Sequence, residues 1–248
     1  MKYMGSKAKI AKEILPIILS GRKENRYYVE PFVGGANIID KVSGLRIGSD
    51  INKYLIGLLI ALQNGWTPPL EITKEFYNKV RDNKDFYNDR LVGWVGFNCS
   101  YSGKFFAGYA GKTETKNGSV RDYQAEAIKN ITNQLAGIKD VVFKNCEYHK
   151  LEIPNNSVIY CDPPYQGTTK YKDNFDHKLF WEWCNKMVDK GHRVYVSEYN
   201  APPNWNCVWQ KEVSSSLSAN GKIGGNKISI EKLFTKIKLV SSFEANQD

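Results

Sequence analysis

Apolar side chains recur at three- and four-residue spacing over residues 6–19 and 52–63; in the second stretch Leu55, Leu58, Leu59 and Leu62 form one stripe. That spacing predicts two amphipathic helices. Ser6 stands where an N-cap would, and Pro16 is expected to kink or end the first helix. Between the helices, Tyr27 to Glu30 read as a short buried strand. A tight turn at Gly34-Gly35 and a helix start over Ala36 to Lys41 follow. Leu45 to Asp50 read as a second strand that ends in an acid. Asn64-Gly65 break the second helix, and Pro68-Pro69 mark a boundary. Residues 73–98 read as helical, 99–122 as loop or hairpin, and 123–137 as helix again. Val141 to Phe143, Val158 to Cys161 and Arg193 to Ser197 read as core strands. A helix over 176–190 joins the last two in a β-α-β crossover. Segments 205–213 and 228–240 are expected to pair as a terminal hairpin across the Gly-rich 219–226 loop. Strands alternating with helices predict an α/β fold on a parallel sheet.

A chain of 248 residues suits one α/β domain with a modest insert, and a hydrophobic fraction of 42% supports a real core. Net charge is +9 with pI near 9.1, which suits an anionic partner but equally a basic surface that binds nothing. The five cysteines include no Cys-x-x-Cys pair and the three histidines are scattered, so neither a zinc site nor a disulfide framework is favoured. The start of the chain lacks a signal-peptide core, and no apolar run is long enough to span a membrane. A reduced, cytoplasmic location is expected, which makes the Asn-x-Ser/Thr triplets at Asn98, Asn117, Asn130 and Asn155 chance matches.

Two segments carry candidate chemistry. The apolar strand Val158 to Cys161 drops into Asp162-Pro163-Pro164-Tyr165. Neither proline has an N–H and each fixes its own φ, so the loop leaves carbonyls free to face a ligand. A carboxylate and carbonyls beside a flat ring suit the exocyclic amine of a planar base. The bland reading is a strand ending in a proline turn. Near the start, Glu30-Pro31-Phe32-Val33-Gly34-Gly35 reads as a strand–glycine-turn–helix unit that lets a cofactor approach the backbone. It is not Gly-x-Gly-x-x-Gly, so the dinucleotide fingerprint is absent. Asp50, at the end of the next strand, is placed to take a ribose hydroxyl pair.

Together these elements resemble the DNA adenine-N6 methyltransferases of the Dam type, the D12 class, over almost the whole chain. Lys2-Tyr3-Met4-Gly5-Ser6-Lys7 resembles the family's N-terminal element, and Glu30 to Gly35 its methyl-donor loop. Ser49-Asp50-Ile51-Asn52 resembles its ribose-binding acid. Phe97-Asn98, Ser102-Gly103-Lys104-Phe105 and Gly108-Tyr109 resemble part of its DNA-reading insert. Asp162 to Tyr165 resemble its catalytic tetrapeptide, and Ser215 to Lys222 a late serine-rich segment. The order is donor loop, recognition insert, catalytic loop, as in that class. The resemblance implies a Rossmann-like, S-adenosylmethionine-dependent sheet over 1–66 and 138–248. It also implies a small, mostly helical and loop DNA-recognition insert over 67–137.

The implied cofactor is S-adenosylmethionine, without metal, and the implied partner is double-stranded DNA, bound by a monomer or by a dimer on the DNA. The implied catalytic residues are Asp162, Pro163, Pro164 and Tyr165. Asp162 and the Pro163 carbonyl would accept the two N–H bonds of adenine N6, and Tyr165 would stack on a flipped-out base. Tyr3, Lys7, Pro31, Gly34, Gly35, Asp50 and Asp162 would hold the donor, with Lys7 on its carboxylate and Asp50 on its ribose; Glu147 and Tyr148 would border its adenine. Lys2, Ser102, Lys104, Tyr109, Lys112, Lys116, Arg121, Lys170 and Lys172 would face DNA, with Tyr171 lining the cleft. GATC-reading members carry an arginine where this chain has Cys99-Ser100-Tyr101, so that site is not carried over. The open alternatives are an RNA or guanine-N2 methyltransferase, in which the catalytic loop usually follows the donor loop closely, and a silent DNA-binding relative. The biological setting stays open between a solitary methylase, half of a restriction-modification pair and a phage-borne protector.

Overall fold

The computed structural model describes residues 1–115, 117–166, 175–215 and 227–236. The candidates Lys116, Lys170, Tyr171 and Lys172, the 219–226 loop and all but the first residue of the late serine-rich segment lie outside them. The elements run α1 (Ala11–Leu19), β1 (Tyr28–Glu30), β2 (Arg46–Asp50), α2 (Lys53–Gln63), α3 (Lys74–Asp82), α4 (Asp89–Gly93), β3 (Lys112–Glu114), β4 (Val120–Asp122), α5 (Tyr123–Ile138), β5 (Val142–Asn145), β6 (Val158–Cys161), α6 (His177–Asp189), β7 (Arg193–Ser197), β8 (Asn206–Ser215) and β9 (Lys227–Thr235).

One seven-stranded sheet has the order β5-β2-β1-β6-β7-β9-β8. The first five strands are parallel, and β9 and β8 close the edge antiparallel. Residues alternate between two apolar layers, as a sheet covered on both faces requires. Tyr28, Val158, Tyr160 and Tyr195 join one cluster with α1 and α2, whereas Val29, Ile159, Cys161, Val194 and Val196 join the other beneath α6. From β1 the chain winds outward to β2 on one side and returns to β6 on the other. The loops after β1 and β6 therefore meet at the switch point where α/β sheets bind ligands.

The expected 67–137 insert holds α3, α4, a small β3–β4 hairpin and α5. Its Val92, Trp94, Val95, Ala127 and Ile131 belong to the same apolar cluster as Tyr28 and Leu55. Among the described residues, no helix is long and apolar enough to cross a membrane.

Three expected elements come out differently. The first helix starts at Ala11, not residue 6, and Ser6 does not cap it: its Oγ accepts the Ala8 N–H at 3.3 Å, a local serine turn after Gly5 at φ +87°. Pro16 lies inside that helix without ending it. The helix expected over Ala36 to Lys41 is a single 3-10 turn, Ile39–Lys41, because Ala36 is left-handed at φ +56°. The stretch 73–98 is broken: Asn83 leaves helical geometry at φ −130°, and Asn88 restarts the chain by capping the Leu91 N–H at 3.0 Å. α4 then widens into a π-helical turn, Trp94–Asn98.

Candidate active site

Adjacent parallel strands end in acids on one edge of the sheet. Glu30 closes β1, Asp50 closes β2, Asp162 follows β6 and Glu198 follows β7. Glu231 on β9 joins them, because the pairing Ser197↔Leu233 carries the antiparallel strand beyond the end of β7. Lys7 stands against this acidic edge in a chain whose net charge is +9.

The loop after β1 is tied to β2. The Gly34 N–H donates to Asp50 Oδ2 at 3.2 Å, and the Asn52 N–H donates to Oδ1 at 3.0 Å. Burial raises the Asp50 carboxyl above its usual range, and these two N–H groups oppose the rise. Gly34 is left-handed at φ +48°, and a Cβ there would lie 2.7 Å from the Tyr3 ring; one on Gly35 would lie 2.6 Å from Tyr3 Cβ. Tyr3 therefore lies across the glycine turn. Gln134 fixes the same turn from α5 by donating to the Gly35 and Ala36 carbonyls at 3.0 and 2.9 Å. Pro31 accepts the Ser49 hydroxyl at 3.4 Å.

The loop after β6 is held by charge. Lys7 Nζ lies 3.3 Å from Asp162 Oδ1, 3.5 Å from Glu231 Oε2 and 4.4 Å above the Tyr165 ring. The Tyr165 hydroxyl donates to Glu231 Oε2 at 2.8 Å, and Tyr199 packs edge-on against its ring at 4.6 Å. The Gln166 N–H donates to Glu198 Oε1 at 2.8 Å. Burial lifts the Asp162 carboxyl to about 6; Lys7 opposes this and Glu231 and Glu198 add to it. Burial alone would lower the Lys7 ammonium, but Asp162 and Glu231 outweigh it and the group stays firmly charged. Glu30, buried and accepting the Tyr28 hydroxyl at 2.8 Å, is raised well above the carboxylate range by its burial. Sequence reasoning placed Lys7 at the donor's carboxylate; in the structure its ammonium lies against Asp162, on the loop after β6. Glu198 and Glu231 were missed, and only their positions in strands beside the core could have marked them.

Beside Pro31, Phe32 stacks on Tyr148 at 5.3 Å and meets Phe175 and Phe180 edge-on. Tyr148 is half-buried in this aromatic group. Glu147 next to it pairs with His149 and Lys150 at the surface.

The candidate DNA residues are spread over the insert. Lys2 donates to the Tyr123 carbonyl at 3.0 Å and pairs with Glu126 at 3.3 Å. Arg121 grips Glu126 with two bonds of 2.7 and 3.0 Å. The Tyr109 hydroxyl donates to the Ile72 carbonyl at 2.7 Å, which anchors the insert internally. Lys112 pairs with Glu71 at 3.5 Å on the surface, Ser102 is exposed and Lys104 is half-buried. At the segment without the expected arginine, Cys99 is buried, Ser100 hydrogen-bonds Tyr77 at 3.0 Å and Tyr101 is half-exposed. Asn98, in the π-helical turn, is buried with both amide atoms unpaired.

The family model for D12 class N6 adenine-specific DNA methyltransferases matches residues 3–212. The chain belongs to this class. No curated protein matches it. Among solved structures it is similar to SMU.472, assigned as a methyltransferase and crystallised with SAH (12% identity, 93% of this chain, 52% of that chain, TM-score 0.37). It thus spans about half of that relative's length. It is similar also to the methyltransferase yhhF of Escherichia coli (12% identity, 95% and 90% covered, TM-score 0.36). The tRNA (m1A58) methyltransferase TrmI of Aquifex aeolicus gives 11% identity, 92% and 69% coverage and a TM-score of 0.37. Members of the D12 class use S-adenosylmethionine, and the residues here fit it. Its ribose diol suits the Asp50 carboxylate, its adenine suits the Phe32–Tyr148 stack, and its cationic groups suit a sheet edge crowded with acids.

Proposed function

We propose that the chain transfers a methyl group from S-adenosylmethionine to N6 of an adenine turned out of duplex DNA at a specific site. The observation that carries this reading is Asp162, anchored by Lys7 at 3.3 Å, on the loop that faces the Gly34-Gly35 turn across the β1–β6 switch point. The donor, when bound, supplies an electrophilic methyl. The amine of adenine is a poor nucleophile, because its lone pair is delocalised into the ring. Asp162 Oδ and the Pro163 carbonyl accept its two N–H bonds and offset the positive charge that grows on nitrogen. Tyr165 stacks on the base, and its fixed ring supplies alignment. The base is flipped because its amine is paired within the duplex. Lys2, Ser102, Lys104, Tyr109, Lys112 and Arg121 face DNA in this reading, with Lys104 and, by exchange of its exposed Glu71 pairing, Lys112 meeting phosphates. The protein acts in the cytoplasm as a monomer, which can pair on DNA.

The direct test is single-molecule sequencing of DNA from a methylation-deficient host expressing this chain. One modified adenine motif supports the reading and supplies the recognition site. Adenine left unmodified by a soluble, donor-binding protein removes it.

Two further results are expected. Asp162 offsets the positive charge growing on nitrogen only as carboxylate, and burial lifts it to about 6. Single-turnover transfer therefore rises as pH climbs through 6 and levels off above 7; a rate flat from pH 5 to 8 contradicts the role. Asp50→Ala removes the acceptor for the ribose and for the Gly34 N–H. It should weaken donor binding about tenfold or more in calorimetry, whereas unchanged affinity would place the ribose elsewhere.

A further inference from the structure

We infer that Glu231 is a positioning residue for methyl transfer. From β9 it holds both the Lys7 ammonium and the Tyr165 hydroxyl, and so sets the Tyr165 ring plane and frees Asp162 to accept the base amine. This rests on the roles of Asp162 and Tyr165 given above.

A single oxygen, Glu231 Oε2, accepts the Tyr165 hydroxyl at 2.8 Å and lies 3.5 Å from Lys7 Nζ. The glutamate side chain is 14% exposed. Its strand is fixed on both sides, by β7 through Ser197↔Leu233 and by β8 through Lys211↔Glu231. The ring of Tyr165 is thereby held at its hydroxyl by Glu231, over one face by Lys7 and at an edge contact by Tyr199. A flat ring held in three ways can stack on a base without first losing rotational freedom. Lys7 has two carboxylates within 3.5 Å. Shared between them, its charge does not saturate Asp162. Left with Asp162 alone, Lys7 would compete with the base amine for Oδ1. Among the described residues, the groups that face Asp162 include Lys7 from the N-terminal segment, Glu231 from β9, Glu198 after β7, Tyr160 on β6, Tyr165 on its own loop and Glu30 at the end of β1.

The test compares Glu231→Gln and Glu231→Asp in the full chain. Glu231→Gln keeps an acceptor for Tyr165 but removes the charge. Donor affinity should stay within about twofold, and kcat should fall about tenfold, because Lys7, left with Asp162 alone, then competes with the base amine for Oδ1. The acid limb of kcat should move to lower pH, since Glu231 no longer raises Asp162. Glu231→Asp keeps the charge but shortens the reach to Tyr165. Its kcat should fall while its acid limb stays near wild type. A Glu231→Gln protein with wild-type kcat and limb overturns the inference, as does an equal loss of donor binding and kcat with an unmoved limb. The Asp162 titration is also read directly by carbon NMR of labelled aspartate, assigned by Asp162→Asn. Should the wild type methylate no adenine, the proposed function fails. The NMR titration then still decides the inference, since an unmoved Asp162 in Glu231→Gln refutes it. If Glu231→Gln does not fold, wild-type kcat in Glu231→Asp refutes it instead.

Discussion

Asp162→Ala is expected to cut methyl transfer on the order of 10²–10³-fold, the scale on which enzymes lose rate when a placed group facing developing charge is removed. Donor binding should stay near wild type, because Asp50 and the glycine turn lie on the other side of the switch point. The two readouts separate chemistry from binding: calorimetry follows the donor, and single-turnover assays follow the methyl. Loss of both together would mean that Asp162 props up the donor site. The same residue predicts an opposite effect on stability. Its folded carboxyl sits at about 6, above the ordinary value of 3.8. A raised value means that its contribution is fully present below 3.8 and is lost as pH rises through 6. Ionised Asp162 is therefore a burden on the fold at neutral pH, lightened by Lys7. Asp162→Asn, which removes the ionisation but keeps the shape, should melt no lower than wild type above pH 6 and still transfer poorly. A variant that melts lower and reacts normally would contradict both halves of this argument.

The strand β6 and the loop that follows it were legible because their signal is local. A buried strand, an acid, two prolines and a tyrosine occupy eight consecutive residues, 158–165. The glycine turn was legible for the same reason, since Gly34-Gly35 closely follow β1 and Asp50 ends the neighbouring β2. What could not be read is what closes the site from far away. Glu231 is separated from Tyr165 by 66 residues and from Lys7 by more than two hundred, and the Glu231-Lys232 dipeptide in its strand looks like ordinary surface. Lys7 and Asp162 were both recognised, yet neither their pairing nor Glu231 as second partner was, because one lysine and several acids allow many pairings and only the sheet order selects among them. The helix expected over 73–98 failed at Asn83 and Asn88. An asparagine side chain there competes with helical bonding and caps a new turn instead, a choice set by the packing of α4 on α2. The Ala36 region failed for a different reason. A helix was read from its composition, but the chain must turn left-handed at Ala36 to bring two carbonyls to Gln134.

Gly103→Ala should be damaging far beyond its size, because this glycine packs the insert against the N-terminal segment that carries Tyr3. It is left-handed at φ +65°, and an added Cβ would lie 2.6 Å from the Lys2 carbonyl carbon and the Tyr3 nitrogen. These are backbone atoms, so no rotamer change relieves the overlap. The Met4 N–H also donates to the Gly103 carbonyl at 3.3 Å, which fixes the two strands of chain against each other. The left-handed conformation costs a non-glycine residue about 1–2 kcal/mol, and overpacking adds about 1–3 kcal/mol. The segment that must move carries Tyr3, whose ring lies over Gly34 and Gly35. The strain therefore reaches the donor site directly, and donor affinity should fall about tenfold on the scale of one misplaced contact. Gly118→Ala is the matched control. It is left-handed at φ +75° but has nothing within 4 Å of the added Cβ, so it feels the backbone cost alone. Thermal melts and donor calorimetry on the pair separate the two effects. If Gly103→Ala only matches Gly118→Ala in both, the Lys2–Tyr3 segment is free to shift without disturbing the glycine turn. If Gly103→Ala loses donor affinity and Gly118→Ala does not, the insert supports the donor loop through Tyr3, and the two ends of the reaction share one strut.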